Sequence, residues 1–259
     1  MCLIAFSWCV REDYPLILVA NRDEFFARPT AAAEYWPDHN HILGGRDLEQ
    51  GGTWLGLTRS GRLAAVTNFR DGKRSRSGQR SRGWLVRDYL LSDLDAPAFL
   101  DRVDESAAQY DGFNLLAGTP EQLFHYSNRT GAITPLARGV HGMSNHLLNT
   151  PWPKVERARG ILSSLTDAPA GELPDALFAL LADRSQPPDE ALPDTGIGLE
   201  WERVLSTAFI QSQDYGTRCS TVLLIDHTGR VHFEERSFAP DATLIAHRFY
   251  EIRLRDAAL

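Results

Sequence analysis

The chain of 259 residues is 43% hydrophobic and 24% charged, with a formal net charge of -7, close to the averages for folded globular proteins. That balance excludes a disordered, collagenous or coiled-coil chain, and its acidic sign opposes generic binding to nucleic acid, which draws on phosphate neutralisation. No apolar stretch reaches the roughly 18 residues of a membrane span and no basic segment precedes the first apolar run, so neither a span nor a secretory signal is expected.

In chain order, apolar runs at residues 1–10 and 15–20 separated by polar residues 11–14 predict a β-hairpin. Residues 53–58 and 62–68 flank Ser60 and Gly61 and predict a second hairpin. Two helices are expected next, over about 83–91 and 96–110; in the second, Phe99, Leu100, Val103 and Ala107 recur at three and four residues, a stripe that would pack on a sheet. Strands follow at 113–117 and 122–126, then helices at about 153–165 and 173–182. A third hairpin is expected from residues 217–226 and 230–237 around Thr228 and Gly229. Strands at both ends and in the middle, with helices in pairs, predict an α+β fold of helix-covered sheets. The Pro/Asp-rich residues 185–198 are the only plausible linker and lie between a helix and the last strands, so one domain over residues 1–259 is expected.

Cys2 is the most informative residue. If the initiator Met is removed, thiol and free α-amine share one residue, and an amine that ordinarily titrates at about 7.7 to 8.0 serves as the base for its own nucleophile. Hairpin pairing brings Asn21, Arg22, Asp23 and Glu24 to the end of the strand that Cys2 begins. A carboxylate at Asp23 would orient the amine and raise its basicity, while Asn21 and Arg22 could donate to a substrate. The plain alternative is a strand end closed by a turn and surface ion pairs.

The NRDE tetrad at 21–24 beside an N-terminal Met-Cys, with GGTWLG at 51–56 and YGTR at 215–218, resembles the NRDE family, also called the transport and Golgi organisation protein 2 family. Through its Met-Cys start the chain also resembles the cysteine N-terminal-nucleophile hydrolases, including penicillin V acylase and bile salt hydrolase. That resemblance implies a four-layer αββα sandwich, Cys2 as nucleophile, Asp23 as partner of its amine, Asn68 and Asn145 as active-site amides, and Arg218 near the thiolate. Trp54, within GGTWLG, joins Asn21 and Arg22 as an expected substrate contact. The pattern departs at Ala20, where the acylases carry Arg: either Arg22 takes that place or the substrate differs.

Two functions compete: hydrolysis of a small-molecule amide or ester through a thioester at Cys2, and non-enzymatic carriage of haem or a lipid-like anion, which the family's association with haem trafficking and lipid homeostasis implies. An interaction module is a third, blander reading. No cofactor is expected. His39 and His41, in a loop without a third ligand, make a poor metal site. Three cysteines, Cys2, Cys9 and Cys219, without CxxC spacing argue against a disulfide framework or structural zinc and for a reducing, cytoplasmic setting. Cys9 is expected to be a buried small hydrophobe, and strand alternation would send Arg218 and Cys219 to opposite faces, Cys219 into the core. Residues 70–82 hold six basic groups against one acidic, which suits a solvated loop or the mouth of an anion-receiving pocket. Of 27 basic residues only Lys73 and Lys154 are lysine.

Overall fold

A computed structural model describes residues 2–73 and 78–254, with the Cys2 side chain outside that description. Thirteen strands and five α-helices are present among the described residues. Strands β1 (Cys2–Trp8), β2 (Leu16–Phe25), β10 (Gly139–Met143), β11 (Tyr215–Ile225), β12 (Arg230–Phe238) and β13 (Leu244–Arg253) form one antiparallel sheet, in the order β10-β1-β2-β11-β12-β13. Strands β3 (Thr30–Trp36), β4 (His39–Asp47), β5 (Leu55–Thr58), β6 (Leu63–Asn68), β7 (Phe113–Thr119), β8 (Gln122–Ser127) and β9 (Ala132–Pro135) form the other in sequence order.

The layers follow from alternation. Ile4, Phe6, Leu16, Leu18, Leu223 and Phe233 from the first sheet meet Leu43, Leu55, Leu57, Leu63 and Leu116 from the second in the central core. Leu3, Ala5, Ile17, Val19, Val222 and Leu224 point the other way, under helices α3 (Pro153–Ser164) and α4 (Leu173–Leu181). Ile42, Val66, Leu115, Ala117 and Tyr126 pack under α1 (Gly83–Leu91) and α2 (Ala96–Glu105). The result is the expected αββα sandwich. Because both faces of β2 are covered, residues 16–20 are apolar and buried without a polar partner stripe, as a two-sided strand requires.

The three hairpins and four helices lie where the sequence predicts them. The second helix ends at Glu105, and residues 107–109 form a short 3-10 turn. His39 and His41 are not in a loop: they open β4, paired to β3. β3, β4, β9, β10, β13 and the short α5 (Leu199–Val204) were not expected. β3 is rich in alanine, a poor strand former, and β13 is an edge strand with exposed Leu244, Ile245 and Phe249, whose apolar residues do not alternate with polar ones. No helix among the described residues is long and apolar enough to cross a membrane.

Phe233 is fully buried in the central core. Its replacement by Ala removes a ring from between two sheets that cannot close the gap, so Phe233→Ala should cost about 3 to 5 kcal/mol in urea unfolding. A loss below about 1 kcal/mol would show that the sheets do not depend on this packing.

Candidate functional site

The site is built around the end of β2. β1 pairs with β2 so that Cys2 stands opposite Arg22 and Leu3 opposite Asn21. On the other side, β11 places Thr217 opposite Asp23 and Cys219 opposite Arg22, leaving Arg218 as an extra residue in a β-bulge. One strand therefore brings the start of β1, the NRDE tetrad and the YGTR segment into register. The Cys2 thiol lies outside the described residues.

Successive residues of β2 face opposite layers. Arg22, with Leu18 and Ala20, belongs to the inner face: its guanidinium stacks 4.3 Å from the centre of the Trp54 ring and donates to Thr30 Oγ1 at 2.9 Å. It shares that face with Ala20, two residues earlier. Trp54 is seated by a close approach of backbone, since a Cβ on Gly45 would lie 2.2 Å from its ring. Asn21 points to the helix side, where its amide donates to the carbonyls of Leu181 and Ala208, both at 2.8 Å, and its oxygen accepts from Ser220 at 2.6 Å. Those bonds tie β2 to the end of α4, so Asn21 is not brought to the cavity as the expected substrate contact.

Asp23 is buried and accepts from Thr217 Oγ1 at 2.7 Å, while its carbonyl accepts from the Tyr215 hydroxyl at 2.8 Å. Burial pushes its carboxyl up to about 6, against the opposing pull of Lys154, the Thr217 hydrogen bond and Arg22. Lys154, in the first turn of α3, is itself buried. Across the inner face, Glu235 of β12 is fully buried, accepting from the Ala33 amide at 2.7 Å and from Thr221 at 3.3 Å. Burial raises its pKa against contributions from Ala33, Cys219, Thr221 and Arg22.

Arg22, Asp23, Trp54 and Asn68 line a common cavity of about 280 Å³, together with Arg28, Asp47, Arg80 and Arg82. Asn68, Arg28 and Arg82 also line an adjoining cavity of about 630 Å³ with Phe69, Arg70, Arg129, Ile197, Trp201 and Tyr215. The described ends of the basic loop thus stand at cavity walls, although residues 74–77 lie outside the described residues. Arg28 is neutralised by Asp47 at 2.6 Å, and Arg70 by Glu202 at 2.9 Å in a buried pair beneath Trp152.

Asn145 is buried behind the cavity wall. Its amide donates to the Asn68 carbonyl at 2.9 Å and its oxygen accepts from Ser144 at 3.2 Å. It fixes the main chain of Asn68. Arg218 donates to the carbonyls of Phe25 at 3.0 Å and Arg28 at 2.9 Å, closing the turn after β2. It lines a separate cavity of about 200 Å³ with Cys219, Glu235 and Trp54. Alternation would have parted Arg218 from Cys219; the bulge sets both on one cavity wall, because the extra residue breaks the period of two. Cys219 is buried as expected, whereas Cys9 is only partly so.

Sequence reasoning passed over Lys154, Glu235 and Arg129. The one available signal was rarity: Lys154 is one of two lysines among 27 basic residues. Among the described residues no group of three or more His, Cys, Asp or Glu side chains could hold a metal.

Because Asp23 titrates above its unfolded value, folding favours its protonated form: that contribution is complete below about pH 4 and is lost as pH rises through about 6. Asp23→Asn should therefore gain stability over the native chain across this window, by up to about 3 kcal/mol. Urea unfolding at stepped pH measures the difference, and a constant offset from pH 4 to 6 would mean that Asp23 does not ionise there.

Residues 1–240 match the family model described as Transport and Golgi organisation 2. The Transport and Golgi organization protein 2 homolog of Bos taurus is 41% identical over 280 residues, covering 98% of this chain and 100% of the relative. The Homo sapiens homolog is 36% identical over 278 residues, with 98% and 100% covered. Among solved structures, the Caenorhabditis elegans N-acylethanolamine-hydrolyzing acid amidase (NAAA) ortholog is similar at a TM-score of 0.48 and 9% identity, covering 86% of this chain and 92% of that one. By the extent of the family match and the identity to its relatives, this chain belongs to the Transport and Golgi organisation 2 family.

Proposed function

We propose that this chain is a cysteine amidohydrolase or esterase of the N-terminal-nucleophile type, acting on a small-molecule amide or ester once release of Met1 frees the Cys2 amine. The observation that carries the reading is the main-chain register: Cys2 stands opposite Arg22, one residue from buried Asp23, at the end of β2 that lines the 280 Å³ cavity with Asn68.

In this reading the Cys2 amine takes the thiol proton and the thiolate attacks the substrate carbonyl. The developing oxyanion is met by the Asn68 amide, held by the Asn145 contact with its main chain; one such donor is worth about 2.7 to 4 kcal/mol. The amine then passes its proton to the leaving amine or alcohol, leaving a thioester. Water, deprotonated by the same amine, releases the acid and restores the thiol. Asp23 orients the amine, and its placement in a water-poor site strengthens that interaction. Arg22 and Trp54 form the wall beside the reacting carbonyl. Arg218 acts at one remove, by shaping the turn from which Arg28 projects.

A second reading rests on the 630 Å³ cavity, where Phe69, Ile197 and Trp201 offer apolar surface beside Arg82 and Arg129. Arg129 lies over the Phe69 ring at 5.5 Å, a combination suited to an anion with an apolar body. This supports a carrier for haem or a lipid-like anion.

Intact-mass analysis of protein from cells should find Met1 removed. Iodoacetamide labelling mapped by mass spectrometry should find Cys2 alkylated faster than Cys9 and Cys219, and p-nitrophenyl octanoate should leave an octanoyl adduct on the Cys2 peptide. Retained Met1, or equal labelling of the three thiols, removes the hydrolase. Haem titration separates the two readings: a Soret shift abolished by Cys2→Ala favours the carrier, and no binding removes it.

A further inference from the structure

β13 is the last strand of its sheet, and we propose that its open edge receives β13 of a second copy of this chain, antiparallel about a two-fold axis at Phe249. The proposal is independent of the hydrolase and carrier readings, because the paired residues 246–252 line neither the 280 Å³ nor the 630 Å³ cavity.

A sheet edge presents a row of unpaired main-chain N–H and C=O groups, and folded proteins blunt such edges with short strands, proline or bulges. Among the described residues the two sheets have four edges, and three carry such a device. β9 has four residues and ends in Pro135, β10 has five, and β3 breaks register twice against β4. β13 has ten residues and pairs with β12 without interruption from Ala246 to Arg253; its one irregularity lies before that stretch, at the step from Ser237 to Phe238. Among the described residues no strand pairs with its other side.

The faces of the strand are fixed by its packing. Tyr250 and Ile252 turn to the central core, with the Tyr250 ring 5.7 Å from Tyr35 and its hydroxyl donating to the Ala33 carbonyl at 3.3 Å. Alternation then puts Ala246 and Arg248 on the inner face, and His247, Phe249 and Glu251 on the outer one. Phe249 is 50% exposed, its ring centre 4.9 Å from that of His232.

A continuous antiparallel sheet keeps each residue on its own face, so the axis must pass through a residue and not between two. An axis at Arg248 would oppose two guanidinium groups. An axis at Tyr250 would set Phe249 against Glu251 and His247 against Arg253. An axis at Phe249 sets Phe249 against its own copy and each His247 imidazole against a Glu251 carboxylate. On the inner face it sets Arg248 against the Tyr250 ring and Ala246 against Ile252. Aromatic, opposite-charge and cation–ring pairs of this kind stabilise a ladder, whereas like charges directly opposite weaken it. The matched residues fall within the uninterrupted stretch. Glu234 fixes the His247 ring beside the axis, with its Oε1 2.9 Å from Nε2. In its own chain Glu251 has only a long, exposed contact with Arg230, at 3.9 Å, and is able to turn to the second copy. A two-fold axis uses each edge once, so association stops at two chains.

Sedimentation equilibrium of the full chain over a concentration series tests the proposal. The native protein should approach twice its 28.9 kDa mass as concentration rises. Phe249→Asp, which sets two carboxylates at the axis, and Glu251→Arg, which sets a guanidinium against each His247, should remain at the single-chain mass with native circular dichroism. Bismaleimidoethane should join Phe249→Cys chains at position 249, mapped by mass spectrometry of the joined peptides. It should leave Glu251→Cys chains unjoined at position 251, because that residue stands opposite 247 and its copy lies about 14 Å away along the strands.

A single-chain mass at every concentration up to the solubility limit overturns the proposal. So does a dimer that survives both Phe249→Asp and Glu251→Arg, a dimer joined at 251 but not at 249, or growth beyond two chains. Should Phe249→Asp fail to fold, Glu251→Arg and the link at position 249 decide the matter.

Discussion

Two neighbouring charges in the middle of a sandwich must each find compensation on opposite sides of one strand. Arg22 and Asp23 are adjacent in β2 and both are buried, and desolvation penalises either ion by several kcal/mol unless partners are in place. Arg22 meets the Trp54 face, Thr30 and the field of Glu235 in the inner layer; the Asp23 carboxyl accepts from Thr217, while the Tyr215 hydroxyl donates to its main-chain carbonyl. The surrounding strands are arranged so that these partners arrive together. β11 brings Thr217 by pairing, and β12 brings Glu235 one strand further.

The bulge at Arg218 follows from the same demand. With regular pairing, Arg218 would stand opposite Arg22, setting two guanidinium-bearing residues side by side. The inserted residue instead puts Cys219 opposite Arg22 and frees Arg218 to gather the carbonyls of Phe25, Phe26 and Arg28. That turn leads Arg28 to its contact with Asp47 and to the shared wall of the 280 and 630 Å³ cavities. A local break in a ladder thereby shapes a cavity several residues away.

Both cavities are walled by arginines, but the arginines differ in how far they are already neutralised. Arg28 and Arg70 are paired with acids, so they shape the walls more than they attract an anion. Arg80 contacts the Gln109 side chain at 3.3 Å and Arg82 donates to the Gly112 carbonyl at 3.2 Å, which places both at the rim of the 280 Å³ cavity. Low dielectric in such a cleft amplifies the charge of an arginine.

Much of the architecture was legible along the chain because its causes are local. Apolar runs of strand length, Gly-containing turns and three-to-four-residue stripes report the packing face of each segment whatever the remainder of the fold does, and they located three hairpins and four helices. They also placed the NRDE tetrad at the end of β2, beside the main chain of Cys2. β3, β4, β9, β10 and β13 escaped notice: β10 owes its place to distant β1, while β3 and β4, β9 on β8, and β13 on β12 are hairpin partners of sequence neighbours whose segments lack an apolar run of strand length. Arg22, Asp23, Trp54 and Asn68 on one cavity, Asn21 turned away from it, Asn145 behind it and Arg218 in a bulge are outcomes of pairing between segments up to about two hundred residues apart. So is the burial of Glu235 and of Lys154, since a charged side chain shows in its own sequence neighbourhood no trace of the layer that will enclose it.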